Sequence, residues 1–277
     1  MTDILGVQAV RSCTGFTVRL EAGVLYLTFN RPDIGNAIAS GAIPELGAIF
    51  TAAAEAPDVR VLLMRAEGAA FCVGGDVKGF AQTIDQSAED RYADYHARMD
   101  RARVQMEAYI ALPMPIVVAC QGAVAGAAVA YVCGADIALA EPGARFVFPH
   151  QRLGLPPDGG LSYLLPRAVG VRKAIELALT AASIDAAEAM RIGIVSRIVE
   201  TDALQDEALK VARRLADAPR GSVRRALRLL KQSLESTPTD QLSAERDAVA
   251  ESVADADFEE GVRAFIEKRR PSFPSTR

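Results

Sequence analysis

Apolar and polar positions follow two rhythms along the chain. Val24-Leu25-Tyr26-Leu27-Thr28-Phe29 is a short apolar run closed by the turn signal Asn30-Arg31-Pro32-Asp33, and it reads as a strand. Val59 to Met64 is a near-continuous apolar run, the pattern of a strand covered on both faces. Further strands are expected from Pro115 to Cys120 and from Asp136 to Ala140. Between these runs the period lengthens. It predicts helices over about Ala42 to Ala56, ended by Pro57-Asp58, over about Ala88 to Ala111, and through the small residues after Cys120. Gly68 to Asp76 is a glycine-bearing loop. Strand and helix thus alternate, which argues for βαβ-type crossovers and an α/β core.

The second half changes character. Leu161-Ser162-Tyr163-Leu164-Leu165 predicts a helix, and Asp185-Ala186-Ala187-Glu188 a helix start with Asp185 as cap and Glu188 reaching back. Gly193 to Val199 predicts a short strand. From Thr201 the pattern is helical to the end, interrupted at Pro219, near Pro238 and near Asp257. A division into a core of residues 1–200 and a helical region of residues 201–277 follows. The second part is too short for a rich core of its own and is expected to pack on the first or on a neighbouring subunit.

Composition changes this picture little. Of 277 residues half are hydrophobic and 24% charged, with a net charge of -4, which excludes extensive disorder and gives no sign of a nucleic-acid groove or a polybasic membrane anchor. Two histidines, His96 and His150, argue against a histidine-rich metal centre. Cys13, Cys72, Cys120 and Cys133 lack CxxC spacing and read as reduced core residues. The first residues lack a signal-peptide pattern, so the expected location is the cytoplasm. Ala108 to Ala135 carries no charge, as a membrane span would. Its prolines, glycines and alanines favour a strand turning into a buried small-residue helix instead.

Three segments carry candidate chemistry. The glycine pair in Ala70-Phe71-Cys72-Val73-Gly74-Gly75-Asp76 allows close backbone approach to a ligand, or is a plain turn. Gln121-Gly122-Ala123-Val124-Ala125-Gly126-Ala127-Ala128 opens a helix, whose unpaired N–H groups suit a developing anion, although tight packing also calls for small residues. In Leu155-Pro156-Pro157-Asp158-Gly159-Gly160, Asp158 is either a functional carboxylate or a helix N-cap.

In this order the three segments resemble the crotonase family, also called the enoyl-CoA hydratase/isomerase family. The resemblance extends over almost the whole chain through Asn30-Arg31-Pro32 with Asn36-Ala37, Leu179-Thr180, Ala187-Glu188-Ala189, Gly193-Ile194-Val195, Glu260-Gly261-Val262 and Ala264 to Arg269. It implies a spiral of ββα turns, a C-terminal helical region that builds homo-trimers or hexamers, and an acyl-CoA thioester substrate, with coenzyme A arriving on the substrate and no prosthetic group or metal. Gly75 and Ala127 match the residues whose amides form the family's oxyanion hole, with Ala127 where glycine is more usual. Two preorganised donors there bind an enolate more tightly than a ground-state carbonyl, each lowering the barrier by roughly 3–4 kcal/mol.

The resemblance also frames the reaction. The two glutamates of the hydratases fall on Ala130 and His150, so the usual pair is missing. Asp158 falls where isomerases of the family place a catalytic aspartate, and its flanks look most like the ring-1,2-epoxyphenylacetyl-CoA isomerase branch. One carboxylate suffices to remove and return a proton; hydration is better served by two groups. The expected activity is therefore isomerisation of an acyl-CoA with Asp158 as general acid/base. Hydration through His150 or a bound water, and a non-catalytic acyl-CoA- or RNA-binding relative, remain alternatives. Dehalogenation is disfavoured because there is no tryptophan and Arg103 stands where a histidine is needed. For the coenzyme, the resemblance implies Asp33, Asn36 and Ala37 near the adenosine part, and Phe265 and Lys268 reaching a neighbouring subunit's ligand. The pocket walls are expected from Tyr92 to Arg103 and from the C-terminal tail. Arg220, Arg224, Arg225, Arg228 and Lys231 read as a solvated helix face opposite Val223, Leu227, Leu230 and Leu234.

Overall fold

A computed structural model describes residues 4–5 and 10–276. Ten strands are β1 (Arg11–Cys13), β2 (Phe16–Glu21), β3 (Val24–Phe29), β4 (Val61–Ala66), β5 (Ile116–Cys120), β6 (Ala123–Ala125), β7 (Ile137–Ala140), β8 (Arg145–Val147), β9 (Ser183–Asp185) and β10 (Arg197–Ile198). The helices are α1 (Ala42–Glu55), α2 (Val77–Ala81), α3 (Ala88–Ile110), α4 (Ala127–Gly134), α5 (Leu161–Val169), α6 (Val171–Leu179), α7 (Ala186–Arg191), α8 (Leu204–Ala216), α9 (Arg220–Gln232), α10 (Pro238–Val253) and α11 (Ala256–Ile266).

Seven strands form one sheet in the order β1-β2-β3-β4-β5-β7-β10. The first three pair antiparallel, and β3 onward pairs parallel. Because side chains alternate along a strand, the parallel strands supply two cores at once. Leu25, Leu27, Leu62, Met64, Ile116 and Val118 face the main core, with α1, α4 and α5. Val24, Tyr26, Val61, Leu63, Val117 and Ala119 face the other way, where α8 covers them with Leu204, Ala208, Ala212 and Ala216. This two-sided burial is what the unbroken apolar run at residues 59–64 predicted.

A second sheet, β6-β8-β9, is smaller. Two isolated parallel bridges extend it, Cys72 with Val124 and Ile38 with Gly75. Each pass of the chain thus runs from a strand of the large sheet, through a short extended segment beside the small one, into a helix. Residues 38, 72–75, 123–125 and 145–147 are successive rungs, and together they make a ββα spiral.

Several local expectations need correction. Asp185 does cap α7, accepting from Glu188 N at 2.9 Å, but the Glu188 side chain turns to Arg191 instead of reaching back. The strand expected over residues 193–199 is confined to β10, because Gly193, Ile194 and Val195 turn back to bond the carbonyls of Met190 and Ala189. The uncharged stretch is β5, β6 and the eight-residue α4; among the described residues no helix is long and apolar enough to cross a membrane. Leu230 on α9 and Leu234 just beyond it are about 70% exposed, so this end of the apolar face is uncovered within one chain. The opposite face is not simply solvated: Arg225 pairs with Asp255, and Lys231 with Asp136 at 3.1 Å.

Candidate active site

Backbone pairing sets the first amide. Cys72 N donates to Ala123 O at 3.1 Å and Ala125 N to Cys72 O at 2.9 Å, stitching residues 71–73 to β6. Beyond them Ile38 N donates to Gly74 O and Asp76 N to Ile38 O. In a parallel bridge of this kind the residue between the two bonded neighbours uses neither of its own polar groups. That residue is Gly75, and among the described residues its N–H donates to nothing.

Gly74 makes the approach possible. Its φ is +89°, and a methyl group there would lie 2.7 Å from Ala125 O and 3.6 Å from Ala127 N. The loop therefore lies directly on the start of α4. There Gly126, at φ +56°, donates to Val147 O at 3.0 Å and turns the chain into the helix. Ala127 is the first helical residue, so no preceding turn accepts its N–H. Both amides sought at residues 75 and 127 are thus unengaged and border the same cavity.

Asp158 and His150 complete that cavity, whose volume is about 120 Å³. His150 opens a 3-10 turn after β8, and Asp158 precedes the turn formed by Gly159 and Gly160. The N-cap reading of Asp158 does not hold. Gly160 is the cap of α5, and Asp158 contributes only its carbonyl, accepting from Leu161 N at 2.9 Å. Its carboxylate instead faces His150, with Oδ1 3.3 Å from Nε2. The His150 side chain is 6% exposed and that of Asp158 38%, so the imidazole sits behind a carboxylate open to the cavity. His150 Nδ1 is buried without a hydrogen-bond partner among the described residues. The Ala127 methyl rests against the Asp158 turn: a side chain at Gly159 would begin 3.0 Å from it.

Of the hydratase positions, Ala130 is fully buried in the core and away from the cavity. Apolar walls come from Ile38, Val73, Phe80 and Leu155 and from the α3 face of Met99, Ala102 and Met106. The stretch expected to supply the α3 wall, Tyr92 to Arg103, holds Arg98, Met99 and Ala102, and the wall runs on to Gln105 and Met106. Tyr92 borders an adjoining open groove, and Arg103 is exposed and bound to Asp100 and Glu107. The wall residue missed was Gln105. The spacing of Arg98, Ala102 and Gln105 on one helical stripe was the signal that could have found it. Among the described residues the C-terminal tail of this chain adds nothing to the wall.

The coenzyme candidates are dispersed. Asn36 is 1% exposed, and its side chain is fully engaged: Oδ1 accepts from Arg31 N at 2.7 Å, and Nδ2 donates to Glu67 O and Ala70 O at 2.9 and 2.8 Å. It clamps the loop that carries Gly74 and Gly75. Asp33 lies exposed in the 3-10 turn Pro32–Ile34, with Ala37 just beyond it. Phe265 is 86% exposed at the end of α11 and Lys268 follows it; both are away from the cavity of their own chain.

A family model described as enoyl-CoA hydratase/isomerase matches residues 19–276. The chain is 33% identical over 265 residues to a protein of Escherichia coli (strain K12) named 1,2-epoxyphenylacetyl-CoA isomerase, covering 92% of this chain and 96% of that one. It is 36% identical over 250 residues to a protein of Mycobacterium leprae named a probable enoyl-CoA hydratase, covering 89% and 93%. A crystal structure of an enoyl-CoA hydratase/isomerase from Cupriavidus metallidurans CH34 superposes with a TM-score of 0.86 at 28% identity, covering 95% and 97%.

Proposed function

Since the chain belongs to the enoyl-CoA hydratase/isomerase family, an enzyme family, we propose that it is an acyl-CoA isomerase working through an enolate, with Asp158 as general acid/base. The observation that carries this reading is the meeting of two unengaged amides, Gly75 and Ala127, with one carboxylate on a single apolar cavity.

In double-bond migration, the Asp158 carboxylate takes a proton from the carbon next to the thioester carbonyl. The electron pair of that C–H bond moves toward the carbonyl, and the oxygen becomes an oxyanion between the amides of Gly75 and Ala127. As the carbonyl re-forms, the double bond settles one carbon nearer to it. The far carbon takes the proton back from Asp158. Donors already aimed at the oxygen need no reorganisation as charge develops there, the usual origin of the largest catalytic term. His150 Nε2, 3.3 Å from the carboxylate, would orient Asp158 and support its negative charge. The same enolate would serve opening of an epoxide or ring on the acyl group, so both outcomes fall within the proposal.

Coenzyme A enters as part of the substrate. Exposed apolar side chains along the C-terminal helices, including Leu230, Leu234, Val262 and Phe265, support packing into a homo-trimer or hexamer, in which Phe265 and Lys268 would reach a neighbour's site. A second reading, water addition with His150 as the acting group, draws on the place of His150 in the cavity lining.

Assay of Asp158→Asn with a 3-enoyl-CoA and with crotonyl-CoA separates the two. Isomerisation should fall by about 10²–10⁴-fold, the worth of a positioned acid/base. Isomerase activity that survives the substitution would sink the proposal, and rapid hydration of crotonyl-CoA by the wild type would favour the second reading. Thioester binding without turnover on either substrate would point to a non-catalytic relative.

A further inference from the structure

Gln105 is a polar residue of the cavity wall that the proposed chemistry leaves unused. It is 3% exposed, on the α3 stripe shared with Arg98 and Ala102. One end of its carboxamide is fixed, because the Tyr131 hydroxyl donates to Oε1 at 3.1 Å. Tyr131 is held in turn, its carbonyl accepting from the Tyr109 hydroxyl at 2.6 Å. Both tyrosines are buried, so this is a rigid support. With Oε1 turned to Tyr131, Nε2 faces elsewhere, and it is buried with no hydrogen-bond partner among the described residues.

An amide N–H shut away from water and left unpaired weakens a fold, and an apolar side chain of similar volume avoids that cost. Met99 and Met106 fill the same wall with apolar side chains. A carboxamide in that wall, anchored at Oε1 and unpaired at Nε2, is a donor for an acceptor seated against it. Arg98, the other polar group of the stripe, is bound to Asp94 at 2.8 Å.

The geometry points to Gln105 as a specificity-determining residue whose Nε2–H binds an oxygen on the acyl chain, so that the preferred thioesters carry an ether, epoxide, hydroxyl or carbonyl oxygen beyond the thioester group itself. This rests on the acyl-thioester reading of the cavity and names the substrate class within it. A plain hydrocarbon chain excludes water from the amide and leaves it unpaired, whereas an oxygen at the right carbon satisfies it. Sites with such a buried polar group discriminate against analogues that lack its partner.

Calorimetric titration tests the assignment without requiring turnover. The probes are octanoyl-CoA and its isosteres in which the methylene at position 4, 5, 6 or 7 is an ether oxygen, titrated into the wild type and Gln105→Leu. At least one ether should bind the wild type about tenfold more tightly than octanoyl-CoA, the worth of one buried hydrogen bond. Gln105→Leu should abolish that ratio while binding octanoyl-CoA at least as well. Equal binding of all probes by the wild type, or a ratio preserved in the variant, would overturn the assignment. If circular dichroism shows Gln105→Leu unfolded, Gln105→Met, which copies its helical neighbours, carries the same comparison. Failure of octanoyl-CoA itself to bind would instead defeat the thioester reading, so the two failures are told apart.

Discussion

His150 Nε2 stands 3.3 Å from Asp158 Oδ1, and the two differ sharply in exposure, 6% against 38% of the side chain. The carboxylate meets the cavity and the imidazole backs it. Nε2 is turned toward the carboxylate, and Nδ1 is buried without a partner among the described residues. In the proposed mechanism His150 is a positioning residue, acting through Asp158.

His150→Phe removes this support and keeps a ring in the wall. Turnover should drop by roughly 10- to 100-fold, as expected when the 3.3 Å approach tightens into a hydrogen bond to the charged carboxylate in the substrate complex, with KM nearly unchanged. His150→Gln, which restores an N–H, should recover part of the loss. A change in KM alone, with turnover intact, would show that His150 only shapes the wall. Steady-state kinetics on a 3-enoyl-CoA decides between them.

Ala127 allows an amide to be deleted at small structural cost. It is the first residue of α4, the helical position that tolerates proline best, because its N–H has no intrahelical acceptor. Ala127→Pro should keep the thermal midpoint within a few degrees, yet lower kcat by roughly 10²–10³-fold, the effect of losing one oxyanion donor. Near-normal turnover in a folded Ala127→Pro would show that this amide holds no oxyanion. Calorimetry alongside the assay reads both effects.

Asn36 is predicted to matter for stability more than for ligand affinity. Its side chain makes three hydrogen bonds in a buried position, and its φ of +58° suits asparagine better than most residues. Asn36→Ala should cost about 2–4 kcal/mol in urea unfolding, summing lost bonds and newly unpaired carbonyls. Loosening of the residue 67–76 loop should also lower kcat. A variant of wild-type stability with weakened coenzyme A binding would restore the ligand role instead.

Alkaline conditions should unfold the protein through its buried thiols. Burial pushes Cys72 and Cys133 from 9.0 up to about 12, and raises Cys120 further for the same reason. In the unfolded chain the same thiols ionise near 9, so between about 9 and 12 the unfolded state binds fewer protons than the folded one. Stability is therefore fully present below pH 9 and falls above it. Thermal midpoints measured from pH 7 to 11 should decline beyond 9, and thiol reagents at pH 8 should leave the buried Cys72 and Cys120 unmodified until denaturant is added. Rapid labelling of the native protein would contradict this.

Much of the fold was legible in the sequence because burial on two faces produces unbroken apolar runs, as at Val61 to Met64, and one-sided burial produces helical periodicity, as on α1. The short rungs were not. Three-residue strands such as β6 and β8, and the single-residue bridges at Ile38 and Cys72, are defined by partners far along the chain and leave no local period. The site was legible as separate parts: Gly75, Ala127, Asp158 and His150 were each singled out, and all border one cavity. The contact between His150 and Asp158 was not, since it depends on how the 3-10 turn and the glycine pair fold back on each other. Gln105 was hidden for a different reason. A glutamine on a long polar helix looks solvent-facing until the helix is docked, and it was the docking of α3 against Tyr131 that buried it.

The Ile38–Gly75 bridge makes loop length a chemical variable. Parallel pairing engages every second residue, so sliding residues 72–76 by one position past Ile38 would bind the Gly75 amide into the ladder and expose a neighbour's in its place, pointing elsewhere. A one-residue insertion or deletion between Phe71 and Gly75 would therefore remove the proposed oxyanion site while every side chain of the cavity stayed in the sequence. Under the proposed mechanism counting would be part of catalysis: the Gly75 amide is left free by its place in the ladder, and no side-chain substitution elsewhere can supply it.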